Sequence, residues 1–282
     1  MRAASGSRCA AGVPTKRATP WASCTLLTLV SSCCILSLQS SAAAAIIGIN
    51  FHGGTYGRKI ATKEAGVEPQ TNWNDVGWWT FTNLLNNTGA TTAVSVTTYW
   101  PLTSTNNTGT FAYNADVKVD PPDGGNDYLM CGYIYPPGSA MTVTIAGLEP
   151  PFTIHGYDVI VYFDGTNGGK NDVDWLTRYT ISANGNSVAD VYGKDAKTAG
   201  WKGTFVQAFG ISAAAATAGN YVRFRGLTAS GFTLTATPVT GMGQGPINGL
   251  QIIALPEPAS LALVGVGLAA TLVARRRLPA GG

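Results

Sequence analysis

The chain has 282 residues, of which 45% are apolar, 12% are charged and 35 are glycine; this balance excludes a wholly disordered chain and fits one mid-sized globular domain flanked by apolar ends. The net charge of +3 comes from the ends, because Arg2, Arg8, Lys16 and Arg17 precede residue 20 and Arg275, Arg276 and Arg277 lie close to the C-terminus. Without those seven, 11 basic residues stand between Ile46 and Leu255 against 14 of the 15 acidic ones, so the central region carries about −3 and offers nucleic acid no basic footprint.

Residues 1–20 are polar and basic, and Trp21 to Leu38 form an apolar stretch that runs into Gln39-Ser40-Ser41-Ala42-Ala43-Ala44-Ala45. A basic region, an apolar region and a small-residue exit form the pattern of a secretory signal peptide spanning residues 1–45. Signal peptidase is expected to cut within two residues of Ala45, since its pockets take small side chains. A second reading takes Val30-Ser31-Ser32-Cys33 as a lipobox with lipid on Cys33; it ranks lower because apolar sequence continues beyond Cys33. Four of the five cysteines fall in this leader, so the exported domain keeps only Cys131 and has no intrachain disulfide. Cys131 is expected to be a small buried hydrophobe.

From Ile46 to Leu255 the chain reads as strand after strand. Segments rich in Val, Ile, Thr, Tyr and Phe occur at 46–51, 91–99, 141–146, 157–163, 177–182, 204–209, 221–225, 232–237 and 250–254, punctuated by Gly, Asn, Pro and Asp. Met141, Val143 and Ile145 alternate with threonines, as do Phe232, Leu234 and Ala236, which predicts strands with one buried and one wetted face. Nine or ten such strands predict an all-β fold, a single β-sandwich over residues 46–255 with jelly-roll topology.

Candidate ligand-binding residues are the tryptophans, whose ring faces can stack on sugars. Trp73, Trp78, Trp79 and Trp100 lie close in sequence, with Trp175 and Trp201 further on. Core packing is the competing role for each of them. Trp78-Trp79 stands out, because neighbours on a strand point to opposite faces and one of the pair should lie outside. Two acidic, glycine-rich stretches, 120–127 and 164–174, supply oxygen donors of the kind calcium takes, with Asp164, Asp172 and Asp174 as its candidate ligands. Solvated turns are the alternative, and no other cofactor is expected. His52 and His155 are the only histidines and neither sits in a nucleophile, zinc or acid–base motif. The chain is therefore expected not to be an enzyme.

The C-terminus is the most specific segment: Pro256-Glu257-Pro258, an uncharged run from Ala259 to Ala274, then Arg275-Arg276-Arg277. As a helix the 16-residue run would rise ~24 Å, short of a ~30 Å hydrocarbon core, which makes a marginal transmembrane anchor aided by snorkelling arginines. The positive-inside rule keeps the arginines cytoplasmic and the β domain outside. Residues 256–282 resemble a PEP-CTERM sorting tail. That resemblance implies an exosortase as partner, an inner-membrane-anchored precursor, and delivery to the envelope surface or beyond. The order of segments Ile49-Asn50-Phe51, Trp73-Asn74, Tyr157 to Tyr162, Tyr221 to Phe224 and Ile247 to Ile252 is similar to galactose-binding-type and malectin-like modules, which implies a β-sandwich architecture; the resemblance of the tail, through the link of such tails to exopolysaccharide-producing envelopes, makes extracellular polysaccharide the expected ligand. A structural surface protein without small ligand is the alternative, and an exported hydrolase using Asp172 and Asp174 ranks last.

Overall fold

The structure, a computed structural model, describes residues 44–52, 59–77, 80–99, 110–114, 117, 124–135, 139–166, 174–198, 201–239 and 245–256. Residues 1–43 of the signal-peptide segment, Trp78, Trp79, Trp100, Asp172 and the tail beyond Pro256 lie outside the described residues. In chain order the elements are β1 (Ile46–Phe51), β2 (Asn74–Val76), β3 (Thr80–Phe81), β4 (Ser95–Tyr99), β5 (Thr110–Tyr113), α1 (Gly125–Cys131), β6 (Gly132–Tyr135), β7 (Met141–Ala146) and α2 (Phe152–His155). They continue as β8 (Tyr157–Tyr162), β9 (Trp175–Ala183), β10 (Asn186–Asp195), β11 (Tyr221–Leu227), β12 (Gly231–Pro238) and β13 (Gly249–Ala254).

Two sheets face each other as in a β-sandwich. The first has the order β11-β8-β13-β1-β2 and the second β10-β9-β12-β7-β4-β3, while β5 and β6 form a separate ribbon. Pairing is antiparallel except between β1 and β2. The alternation read in β7 and β12 sets the second sheet's faces: Met141, Val143, Ile145, Phe232, Leu234 and Ala236 enter the main core, and their threonine neighbours line the wet side. There Thr144 and Thr233 hydroxyls meet at 3.2 Å, as do those of Thr80 and Thr97.

The first sheet departs from that alternation, because every residue of β1, β8 and β13 is buried. Its inner residues, among them Ile47, Ile49, Val159, Val161, Leu250 and Ile252, meet the second sheet. Its outer residues Ile46, Ile160, Tyr162 and Ile253 form a second cluster with Ile60, Ala65, Trp73, α1 and Trp201. A strand covered on both faces reads as a continuous apolar run, as Ile46-Ile47-Gly48-Ile49 does. The cover is pinned by polar groups. Tyr162 Oη accepts the Val67 N–H at 2.7 Å and donates to Gln251, whose amide donates to the Glu68 carbonyl at 2.7 Å. Arg223 bridges Asp158 and Glu68 at 2.9 Å each. Gly48 admits this cover, since a Cβ there would fall 2.8 Å from the Trp73 ring and closer still to Gln70.

Register defines two ends. Ala254 lies opposite Tyr157, Leu227 opposite Tyr157, Ile46 opposite Ile253, and Ala146 opposite both Ser95 and Gly231. Both chain ends leave at this end, where Ala254 N–H donates to Ala45 O and Leu255 N–H to Gly156 O, each at 2.9 Å. We call it the terminal end. Gly77, Asp164, Asp174 and Trp201 lie towards the opposite, far end.

One expected strand is not formed. Residues 204–209 run as an irregular segment, because the Asn220 side chain takes the Val206 N–H at 2.8 Å and only Gln207 bridges to Tyr221. Side-chain capture of a backbone donor replaces the ladder. Val206 and Phe209 are exposed as a result, and the following alanines make a single exposed turn over Ala213–Ala215.

Candidate functional site

A cleft of about 510 Å³ lies among the described residues where the edge strands β10 and β11 part at the terminal end. Asn184 and Gly185, both with positive φ, turn the β9–β10 hairpin tightly and leave Asn186 and Val188 on one wall. The opposite wall is the irregularity of β11 between Phe224 and Leu227, where Gly226 takes positive φ and Arg225 is turned outward. Thr228 and Ala229 close the mouth, and Tyr157, Ile181, Leu227 and Phe232 make the floor.

Each polar group of the cleft has a defined setting. The Tyr157 ring stacks on Phe232 with centroids 6.1 Å apart, and its hydroxyl donates to the Ala229 carbonyl at 3.0 Å. The Arg225 guanidinium is 67% exposed and touches Asp158 only at 3.5 Å, because Arg223 and the Gly226 N–H hold that carboxylate at 2.9 Å. The hairpin wall is stiffened by Arg178, whose hydrogen bond holds the Asp190 carboxyl below the usual carboxylate range, and by Thr180, which also donates to Asp190. An apolar floor under amide, hydroxyl and guanidinium groups suits a neutral or acidic polyhydroxylated ligand. Among the described residues its lining holds no carboxylate and no histidine.

The residues singled out from sequence have other surroundings. Trp73 is buried, stacks obliquely on Tyr162 and donates its indole N–H to Gln70 O at 3.1 Å, so its faces are in the outer cluster of the first sheet. Trp175 and Trp201 are buried too. Asp164 lies inside the far end, where its Oδ2 accepts the Trp201 N–H at 2.9 Å and its backbone N–H donates to Asn248. Asp174 sits at the surface, paired with Lys194 at 2.7 Å and accepting the Lys197 N–H; these hydrogen bonds hold its carboxyl below the usual range. Among the described residues no three of His, Cys, Asp and Glu come together as a metal centre. Cys131 is buried in α1.

The cleft residues carry no strong functional signal in the sequence. The signal available was Asn184-Gly185, a strong hairpin dipeptide, together with Arg225-Gly226, a glycine interrupting an apolar strand.

Burial of tyrosines makes the domain sensitive to alkali. Burial pushes the hydroxyls of Tyr157 and Tyr133 up to about 12. An unfolded chain ionises its tyrosines near pH 10 whereas these two stay protonated in the fold, so the stabilisation they give is complete below pH 10 and is lost as pH rises towards 12. Each is expected to withdraw about 2 kcal/mol by pH 12. Circular dichroism against pH should show cooperative unfolding in that interval, moving to higher pH in Tyr157→Phe. A domain indifferent to pH between 10 and 12 would contradict the buried placement.

A comparison with protein families finds that residues 254–277 match the PEP-CTERM protein-sorting motif. A comparison with curated proteins finds no match. The motif implies an exported precursor held at the membrane, with exosortase as the partner that processes it for the cell surface.

Proposed function

We propose that the mature protein is a non-catalytic surface or matrix component whose sandwich holds a polysaccharide segment in the cleft between β10 and β11. The leader is removed by signal peptidase on this reading, and the apolar run 259–274 anchors the precursor in the membrane until exosortase acts. The observation that carries the binding role is the cleft itself: it is half-open, and Tyr157, Ile181 and Phe232 lie at its base beneath the polar groups of Asn184, Asn186, Arg225 and Thr228. The strand order supports a jelly roll, since β1-β13-β8-β11 against β7-β12-β9-β10 is the arrangement of eight strands paired as two interlocked Greek keys. The galactose-binding and malectin-like identity belongs to the same proposal.

Retention of the tail-free protein on a panel of immobilised polysaccharides tests it. Selective retention is expected, with the double variant Asn186→Ala, Arg225→Ala at least tenfold weaker, because a hydrogen bond from a charged donor is worth about 1.5–3 kcal/mol. No cofactor is required on this reading, so chelator should leave retention unchanged. Loss in chelator would instead favour calcium at Asp164, Asp172 and Asp174. Retention on no matrix, or an unaffected double variant, would remove the cleft from consideration.

A second reading, a coat component acting through self-association, is favoured by the exposed segment after Phe205. Phe209 is 59% and Ile211 92% exposed there, and apolar groups so placed commonly mark contact surfaces.

A further inference from the structure

The sorting tail begins with no spacer after the fold. β13 ends at Ala254, Leu255 is still tied by its N–H to Gly156 O at 2.9 Å, and Pro256 is the first exposed residue of the tail. The uncharged run starts at Ala259, four residues beyond Leu255. Four extended residues span at most roughly 14 Å, and the headgroup layer on one side of a bilayer is itself roughly 5–7 Å deep. When the run is in the bilayer, the terminal end of the sandwich therefore has little room between itself and the headgroups.

That end is also built to tolerate such a neighbour. Its connections, residues 84–94, 147–156, 184–185 and 228–230, carry only two ionisable side chains, Glu149 and His155, and the exposed Arg225 of the cleft adds a cation that anionic headgroups can accept. Lys194, Lys197, Lys202 and Asp174 belong to the far end. Within the terminal end, α2 places Phe152 in the core and turns Ile154 outward, 66% exposed, on the segment whose Gly156 carbonyl holds Leu255. This branched aliphatic side chain stands close to the point where the chain leaves towards its apolar tail.

We propose that in the tail-anchored precursor the terminal end of the sandwich rests on the outer leaflet, with Ile154 in the headgroup layer, so that exosortase meets a cargo held flush against the membrane. The occupant of this surface is lipid. It follows that the far end points away from the cell until the tail is cut.

The leader-free precursor, residues 46–282, is reconstituted in phosphatidylcholine vesicles containing a minority of phosphatidylglycerol. Ile154→Cys and, separately, Lys202→Cys carry an environment-sensitive fluorophore; Cys131 is buried and does not compete for the label. Both positions are exposed, so neither change disturbs the core. Brominated lipid should quench the label at 154 several-fold more than the label at 202, and a water-soluble quencher should do the reverse. Equal quenching of the two labels by each quencher would overturn the proposal.

Discussion

Replacing Trp175 with alanine is expected to destabilise the domain by about 4 kcal/mol, the cost of an unfilled cavity left by a large aromatic. Trp175 is 1% exposed and opens β9, opposite Asp195. Its ring lies against the backbone at Gly165, where an added Cβ would fall 2.2 Å from the ring. The Gly165 N–H is itself held by Asp195 at 2.8 Å. A void there is bordered by chain fixed on two sides and cannot collapse. In a domain of this size the loss corresponds to roughly 8–16 °C in Tm. Thermal and urea melts of Trp175→Ala measure it, and a loss below about 1 kcal/mol would mean that the ring is not packed as described. Leu and Phe at 175 should recover part of the loss in proportion to the volume they restore.

The second large effect concerns delivery. Changing Pro256, Glu257 and Pro258 together to alanine is expected to abolish processing while leaving the domain folded, because Pro256 is exposed and the last paired residue is Ala254. In a host that carries an exosortase, the wild-type chain should appear at the surface without its tail, and the triple variant should remain in the inner-membrane fraction at full precursor mass. A triple variant that reaches the surface at the wild-type rate would show that residues 254–277, despite matching the sorting motif, do not direct the chain. The melting temperatures of the two tail-free domains should agree, which separates a sorting failure from a folding one.

Much of the fold was legible in the sequence because its strands carry their burial in their pattern. Alternating Met141-Thr142-Val143-Thr144-Ile145 and Phe232-Thr233-Leu234-Thr235-Ala236 announce a sheet wet on one side, and both strands stand in the second sheet. The apolar runs at 46–51, 157–162 and 250–254 were visible as strands, yet their second, covered face was not. That cover comes from residues 59–73 and α1, polar-looking segments whose role rests on single contacts such as Val67 with Tyr162 and Glu68 with Arg223. Local pattern does not encode such distant pairings. β10 is not legible in the sequence because Asn186 to Asp195 is a half-exposed edge strand with little apolar periodicity.

The candidate site was less legible for the same reason. A cleft made where two edge strands separate depends on which strands end up as edges, and that is decided by the order of the whole sheet. Tryptophan faces suit sugar platforms, but Trp73 and Trp201 are buried in the outer cluster of the first sheet and Trp175 is buried against Gly165. Asparagines and threonines of ordinary turns, by contrast, frame the cleft. The acidic residues near 164–174 have the composition of a cation loop; of them, Asp164 accepts the Trp201 N–H and Asp174 the Lys197 N–H, while Asp172 lies outside the described residues.

Amide chemical shifts of the ¹⁵N-labelled domain, recorded while titrating an oligosaccharide fragment of whichever polysaccharide retains it, address the binding role most directly. Saturable shifts concentrated at Asn184, Asn186, Arg225 and Thr228 are predicted, with the far-end residues Asp174 and Lys197 unmoved. Shifts confined to the far end, or a spectrum that does not change, would contradict a polysaccharide site between β10 and β11.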